Sequence, residues 1–234
     1  MWIIYARYCF KKLENMTVQS GVQVALRAEV EGKGHVKIKW EQHVKVDKES
    51  LTSLEGWIRR MLQIKDSVVV VINMGIWYNS HDEYVYALDR LTSLLLSLTR
   101  VWEHHPRAKY IAIVLAETTA QHFHTRNGYF NRKVYENTSR SAFCAPITNP
   151  IDDWRNDVLW SYVNGKWGHE ITSLSHVLLD VLPMKALTQD LADIHLRQRR
   201  HDCTHYCYTP MLYQPIYSSL LNISERLLEM RRII

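Results

Sequence analysis

The sequence predicts an α/β protein built on a mostly parallel, doubly wound sheet. Three observations lead there. Val68–Ile72, Tyr110–Ala116 and Ser175–Val181 are short apolar runs of the kind that form buried strands. Segments with apolar residues at helical spacing lie between and after them. Buried strands alternating with helices are the pattern of a parallel sheet with helical crossovers.

The elements follow in order. Val22, Val24, Leu26, Ala28 and Val30 alternate with Gln23, Arg27 and Glu29, which predicts a strand with one buried face. Gly32-Lys33-Gly34 supplies a turn, and Val36, Ile38, Trp40, Val44 and Val46 alternate again, so the pair reads as a hairpin or as successive edge strands. Ser50 to Gln63 reads as a helix, with Leu51, Leu54, Ile58 and Leu62 on one face. The β-branched run Val68–Ile72 predicts a strand buried on both faces. Asp82 to Glu103 is the clearest helix, with Tyr84, Leu88, Leu91, Leu95, Leu98 and Trp102 forming one stripe. Between the strands Tyr110–Ala116 and Ser175–Val181, the segment Glu117 to Gly168 reads as long and irregular, and a loop of that length is usually functional. A last helix is expected after Pro215, where Ile216, Leu220, Ile223, Leu227 and Met230 mark one face.

Composition narrows the function classes. The 234 residues suit one sizeable α/β domain or two small ones, and 47% hydrophobic with 23% charged residues argues against disorder over most of the length. The net charge of +5 is modest. The basic clusters at Arg197–His201 and Arg231-Arg232 are short and lack an aromatic-basic module, so nucleic acid is not expected as a partner. No apolar run approaches the ~20 residues of a membrane span. Asn15-Met16-Thr17, Asn137-Thr138-Ser139 and Asn222-Ile223-Ser224 match the glycosylation acceptor pattern and point weakly to the secretory pathway.

The chemistry-bearing residues gather beyond the predicted strand ends, where ligands bind in doubly wound sheets. Asn73-x-Gly75-x-Trp77 directly follows the Val68–Ile72 strand. A glycine there lets backbone approach a ligand, and an Asn side chain can add a second donor to an oxyanion; a tight turn with a core Trp fits the same pattern. Glu117 to Phe123 follows the next strand. Late in the chain, Asp202-Cys203-Thr204-His205-Tyr206-Cys207 places an Asp three residues before a His, the spacing of an orienting carboxylate and a general base. Cys203 and Cys207 interleave with His201 and His205, but the second ligand pair of a structural zinc site is missing, so no metal is expected. The four cysteines, Cys9, Cys144, Cys203 and Cys207, allow three disulfide pairings, and packed thiols fit as well.

Taken together, these segments resemble the PC-esterase family, which includes the plant trichome-birefringence-like polysaccharide O-acetyltransferases. The carriers are Val68 to Trp77, Glu117 to Phe123, Leu178-Leu179-Asp180-Val181 and Asp202-Cys203-x-His205-x-Cys207, in family order from about residue 64 to 221. Tyr206 stands where the family usually has Trp. The resemblance implies an SGNH (GDSL-like) hydrolase domain of three α/β/α layers with a Ser–His–Asp triad and no cofactor. It implies His205 as general base, Asp202 as its orienter, and Gly75 and Asn73 as oxyanion donors. Gln121 and His122 would line the pocket, which takes a polysaccharide or glycan acceptor and an acetyl donor. Trp77 and Tyr206 read equally as sugar-stacking walls or as core aromatics. A disulfide to Cys144 would tie the long loop to the catalytic loop.

One departure is large: the chain contains no Gly-Asp-Ser. Asp66-Ser67 starts the Val68–Ile72 strand and so sits at the opposite end from Asn73 and Gly75. Trp2 to Leu13 resembles the helix that normally follows the serine motif, so the motif, its strand and any membrane anchor are expected upstream of Met1. Residues 1–234 then form a single domain that lacks its first strand, in a protein of the secretory pathway, Golgi lumen or extracellular space. This chain is expected to be poorly stable and catalytically inert. The competing expectation is a non-catalytic glycan-binding or interaction domain that keeps the cleft without the nucleophile.

Overall fold

Tyr110–Ala116, β4, is apolar at every position, and every one of its residues is buried. Such a strand must be covered on both faces and paired on both edges. A computed structural model describes residues 26–30, 34–38, 45–65, 67–103, 109–123, 125, 128–130, 144–147, 153–195, 203–206 and 210–233. In it β4 is the centre of a three-stranded, all-parallel sheet in the order β3-β4-β5, with β3 at Ser67–Asn73 and β5 at Val177–Leu182. Ser67 to Asn73 pair in register with Tyr110 to Ala116, and Ile111 to Ala116 pair with Val177 to Leu182. Separately, β1 (Leu26–Val30) and β2 (Gly34–Ile38) pair antiparallel as the expected hairpin; the rest of the predicted alternation, apart from Val46, lies outside the described residues.

Helices cover both faces of the parallel sheet, so the expected layered α/β/α arrangement is present. On one face lie α1 (Lys48–Ile64), α2 (His81–Glu103), α3 (Trp154–Val163) and α4 (Lys166–Thr172), whose apolar residues meet Val68, Val70, Ile111, Ile113 and Leu115. On the other, α5 (Met184–Thr188) and α6 (Pro210–Ile233) bring Met184, Ile223 and Leu227 against Ala112, Val114 and Ala116. The stripe read along α2 is buried from Tyr84 to Leu98, with Trp102 partly buried. Leu95 is 0% exposed at its centre. Leu95→Ala should cost about 3–5 kcal/mol, read by denaturant unfolding, because the close-packed helix and sheet around it cannot collapse into the cavity.

Four expectations need correction. The Val68–Ile72 run is not buried on both faces: β3 is an edge strand among the described residues, and Val71 is 47% exposed. Cover from α6 reaches Val69 on the same face and leaves Val71 outside. α1 begins before Ser50, because Asp47 caps it. The Asp47 carboxylate accepts from Ser50 N at 2.8 Å, and Ser50 Oγ accepts from Asp47 N at 2.8 Å. The segment from Glu117 to Gly168 is not irregular throughout, since α3 and the start of α4 lie in it. α3 buries Arg155, Asn156, Val158 and Leu159, neighbours that include polar groups, so it leaves no apolar stripe to read. Finally, α6 starts at Pro210 and holds Pro215 inside it. Pro210 suits the first helical position, where no intrahelical donor is lost, whereas Pro215 stands in the second turn.

Candidate functional site

The carboxyl ends of β3 and β4 are joined by the Asn73 side chain. Its Nδ2 donates to Glu117 O at 2.9 Å and to Ala116 O at 3.4 Å. The amide nitrogen thus faces the end of β4. Gly75 follows with φ of +119°, a conformation open to glycine and strained for other residues. Its carbonyl accepts from Tyr78 N at 2.9 Å, closing the turn into α2. Trp77 stands on that turn, 42% exposed, and so is no core aromatic.

Beyond β4, residues 117 to 123 are buried, and the first of them are tied to α3 and α5. Glu117 accepts from Trp160 Nε1 at 2.8 Å and from the Lys185 backbone N at 3.0 Å. Thr118 exchanges two bonds with Asn156: its N donates to Oδ1 at 2.7 Å, and its O accepts from Nδ2 at 3.1 Å. Asn156 also donates to Asp153, whose carboxylate lies 3.2 Å from Lys185 Nζ and accepts from Tyr129 Oη at 3.1 Å. Ala120 N donates to Thr188 Oγ1 at 2.9 Å.

Gln121 and His122 meet the late loop. Gln121 Nε2 donates to Thr204 Oγ1 at 3.0 Å, and His122 N donates to Cys203 O at 3.0 Å. Cys203 is bonded to Cys144, with Cα atoms 5.3 Å apart, so of the pairings left open the structure contains this one. That bond removes Cys203 as a thiolate metal ligand. His205 sits in this loop, partly buried, while Asp202 lies outside the described residues, as do Cys9, Cys207, His201, Asn15 and Asn137. Asn222 is exposed on α6.

His122 is fully buried and does not line an open cleft. Its Nε2 lies 2.8 Å from Gln189 O and its Nδ1 lies 2.7 Å from His195 Nε2. His195 Nδ1 in turn lies 3.0 Å from His205 O. Tyr206 completes the group: its hydroxyl donates to Ala120 O at 2.5 Å and lies 3.1 Å from His122 Nδ1. Burial pushes the Tyr206 hydroxyl far above its ordinary value, so it stays protonated. Burial also pulls the His122 imidazole below the ordinary histidine range, opposed by the Gln189 carbonyl and the Asp190 carboxylate. Sequence reasoning placed His122 and Tyr206 in the site but missed His195. No local pattern marks His195, because its partner is 73 residues away in the chain.

The predicted residues therefore fall into two groups along one extended segment. Asn73 and Gly75 meet residues 116–118, and Gln121 and His122 meet the Cys203–Tyr206 loop. No family model, curated protein or solved structure matches the chain.

Proposed function

We propose that this chain carries the base half of an O-acyl site in a carbohydrate O-acetyltransferase or O-acetyl esterase-like protein. One observation supports it most: Gly75, Gln121 and the loop bearing His205 all gather at the carboxyl edge of one parallel sheet, where such folds hold their ligands. In this reading His205 takes the proton from a serine hydroxyl, Asp202 orients the imidazole, and Gly75 offers its backbone N–H to the oxyanion. Transferase and esterase differ only in whether a sugar hydroxyl or water accepts the acyl group. The Cys144–Cys203 disulfide fits a secretory or extracellular setting. Among the described residues no helix is long and apolar enough to cross a membrane.

The absence of Gly-Asp-Ser from the sequence favours a second reading, a glycan-binding domain that retains the cleft. Exposed Trp77 is the natural stacking surface for a sugar ring in either case. The test uses Met1–Ile234 with acetylated and deacetylated polysaccharide. Acetyl-ester hydrolysis is expected at background, and His205→Ala should change nothing. Binding to acetylated polysaccharide is expected to fall about tenfold in Trp77→Ala, the loss of one stacking contact of roughly 1.4 kcal/mol. Turnover abolished by His205→Ala would establish the acyl chemistry and overturn the expected inertness. Neither binding nor turnover would remove both readings.

A further inference from the structure

His122 and His195 present a proton count that two neutral imidazoles cannot satisfy. Gln189 O and His205 O can only accept, so His122 Nε2 and His195 Nδ1 must both carry hydrogens to bond them. In two neutral rings that leaves the inner nitrogens, His122 Nδ1 and His195 Nε2, as bare lone pairs facing each other at 2.7 Å. The Tyr206 hydroxyl does not relieve this contact. Its single hydrogen goes to Ala120 O at 2.5 Å, which leaves its oxygen as an acceptor 3.1 Å from His122 Nδ1.

A bridging metal does not fit between the rings. Two nitrogens bound tetrahedrally to zinc at about 2.0–2.1 Å stand roughly 3.3 Å apart. The observed 2.7 Å is too short for that and lies at the short end of the hydrogen-bond range. A hydrogen on His122 Nδ1, directed at His195 Nε2 and secondarily at Tyr206 Oη, satisfies every group.

We propose that His122 and His195 share one such proton, forming a singly charged clasp that fastens the Cys203–Tyr206 loop, and with it His205, to the end of β4. The clasp spans three segments: residues 120–122 after β4, residues 189–195 after α5, and the loop itself. Among the described residues, the titratable or charged groups facing it besides the two rings are Tyr206 from the loop and Asp190 from the turn after α5. Asp190 is the one anion among them and favours the shared proton. His205 contributes its backbone carbonyl. The clasp is independent of the acyl chemistry, so its test reads ring protons and loop docking rather than turnover.

The sign of the pH dependence is decisive. A clasp that holds one proton more than two neutral rings is favoured by acid and lost as pH rises through the pair's folded pKa. Desolvation acting alone has the opposite sign: it favours neutral rings and loosens the loop on acidification. Histidine-ring 15N spectra of the full chain from pH 5 to 9 count the protons directly. Three of the pair's four ring nitrogens should be protonated at pH 6. Phosphine reduction of Cys144–Cys203, normalised to the denatured chain, reads loop docking, since Cys203 is fully buried. It should run about tenfold faster or more above the transition than below it, the effect of one charge-assisted hydrogen bond. In His195→Gln a neutral amide N–H can reach His122 Nδ1, so the pH dependence should flatten while the loop stays docked. Two protons on the pair at pH 6, or faster reduction on acidification, overturns the clasp. The ring spectra of the parent chain decide even if the variant fails to fold.

Discussion

Replacing Cys144 and Cys203 together by serine should lower the free energy of unfolding by about 4 kcal/mol. The two cysteines are 59 residues apart, so the bond closes a long loop in the unfolded chain and removes much of its entropy. The native cost is local and severe as well. Cys203 is fully buried, and its carbonyl accepts the His122 N–H that fixes the late loop to the β4 extension. Denaturant unfolding under non-oxidising conditions checks the value, and the parent chain treated with reductant should lose a similar amount. A loss under about 1 kcal/mol would mean that the unfolded chain is already compact around this loop. In that case the hydrogen bonds of Gln121, His122, His195 and Tyr206 hold the loop that carries His205.

Gly75→Ala should cost about 3 kcal/mol or more and should loosen the β3–α2 turn. Two terms add. The backbone at φ +119° is strained by about 1–3 kcal/mol for a residue with a side chain. The new Cβ would then lie 2.4 Å from Thr118 Oγ1 and 3.3 Å from Tyr84 Oη. Asn156 holds the Thr118 backbone on both sides, so relief has to come from rotating Oγ1 away from its bond to Met74 O. A double-mutant cycle with Thr118→Ala separates the terms: removing Oγ1 should recover the packing part, typically 1–3 kcal/mol, and leave the backbone part. Full recovery would show that the turn tolerates a side chain at position 75, and would remove the case that close backbone approach requires glycine there.

How far the sequence carried the fold depends on where each element sits. Tyr110–Ala116 was bounded to the residue, because a strand at the centre of a sheet must be apolar on both faces. The α2 stripe was equally plain, because one helix face meets one sheet face. Val68–Ile72 misled because an apolar run looks the same at the centre of a sheet and at its edge. Only the strand order shows that Val71 is exposed. α3 was invisible for another reason: Arg155 and Asn156 are buried by bonding partners, Tyr78 O and Thr118 among them, rather than by apolar character.

The candidate site divides along the same line. Asn73, Gly75, Gln121 and His122 were legible because they lie just past strand ends, and His205 because Asp202 stands three residues before it. What the sequence determined by itself was the α/β class, the central strand, and which polar residues follow the strand ends. The tertiary structure alone decided that Asn73 joins two strands, that Cys203 bonds Cys144, and that His122 meets His195. Each depends on partners 43 to 73 residues apart. A one-dimensional pattern records the period of burial, whereas a pairing across the fold is set by how the layers pack.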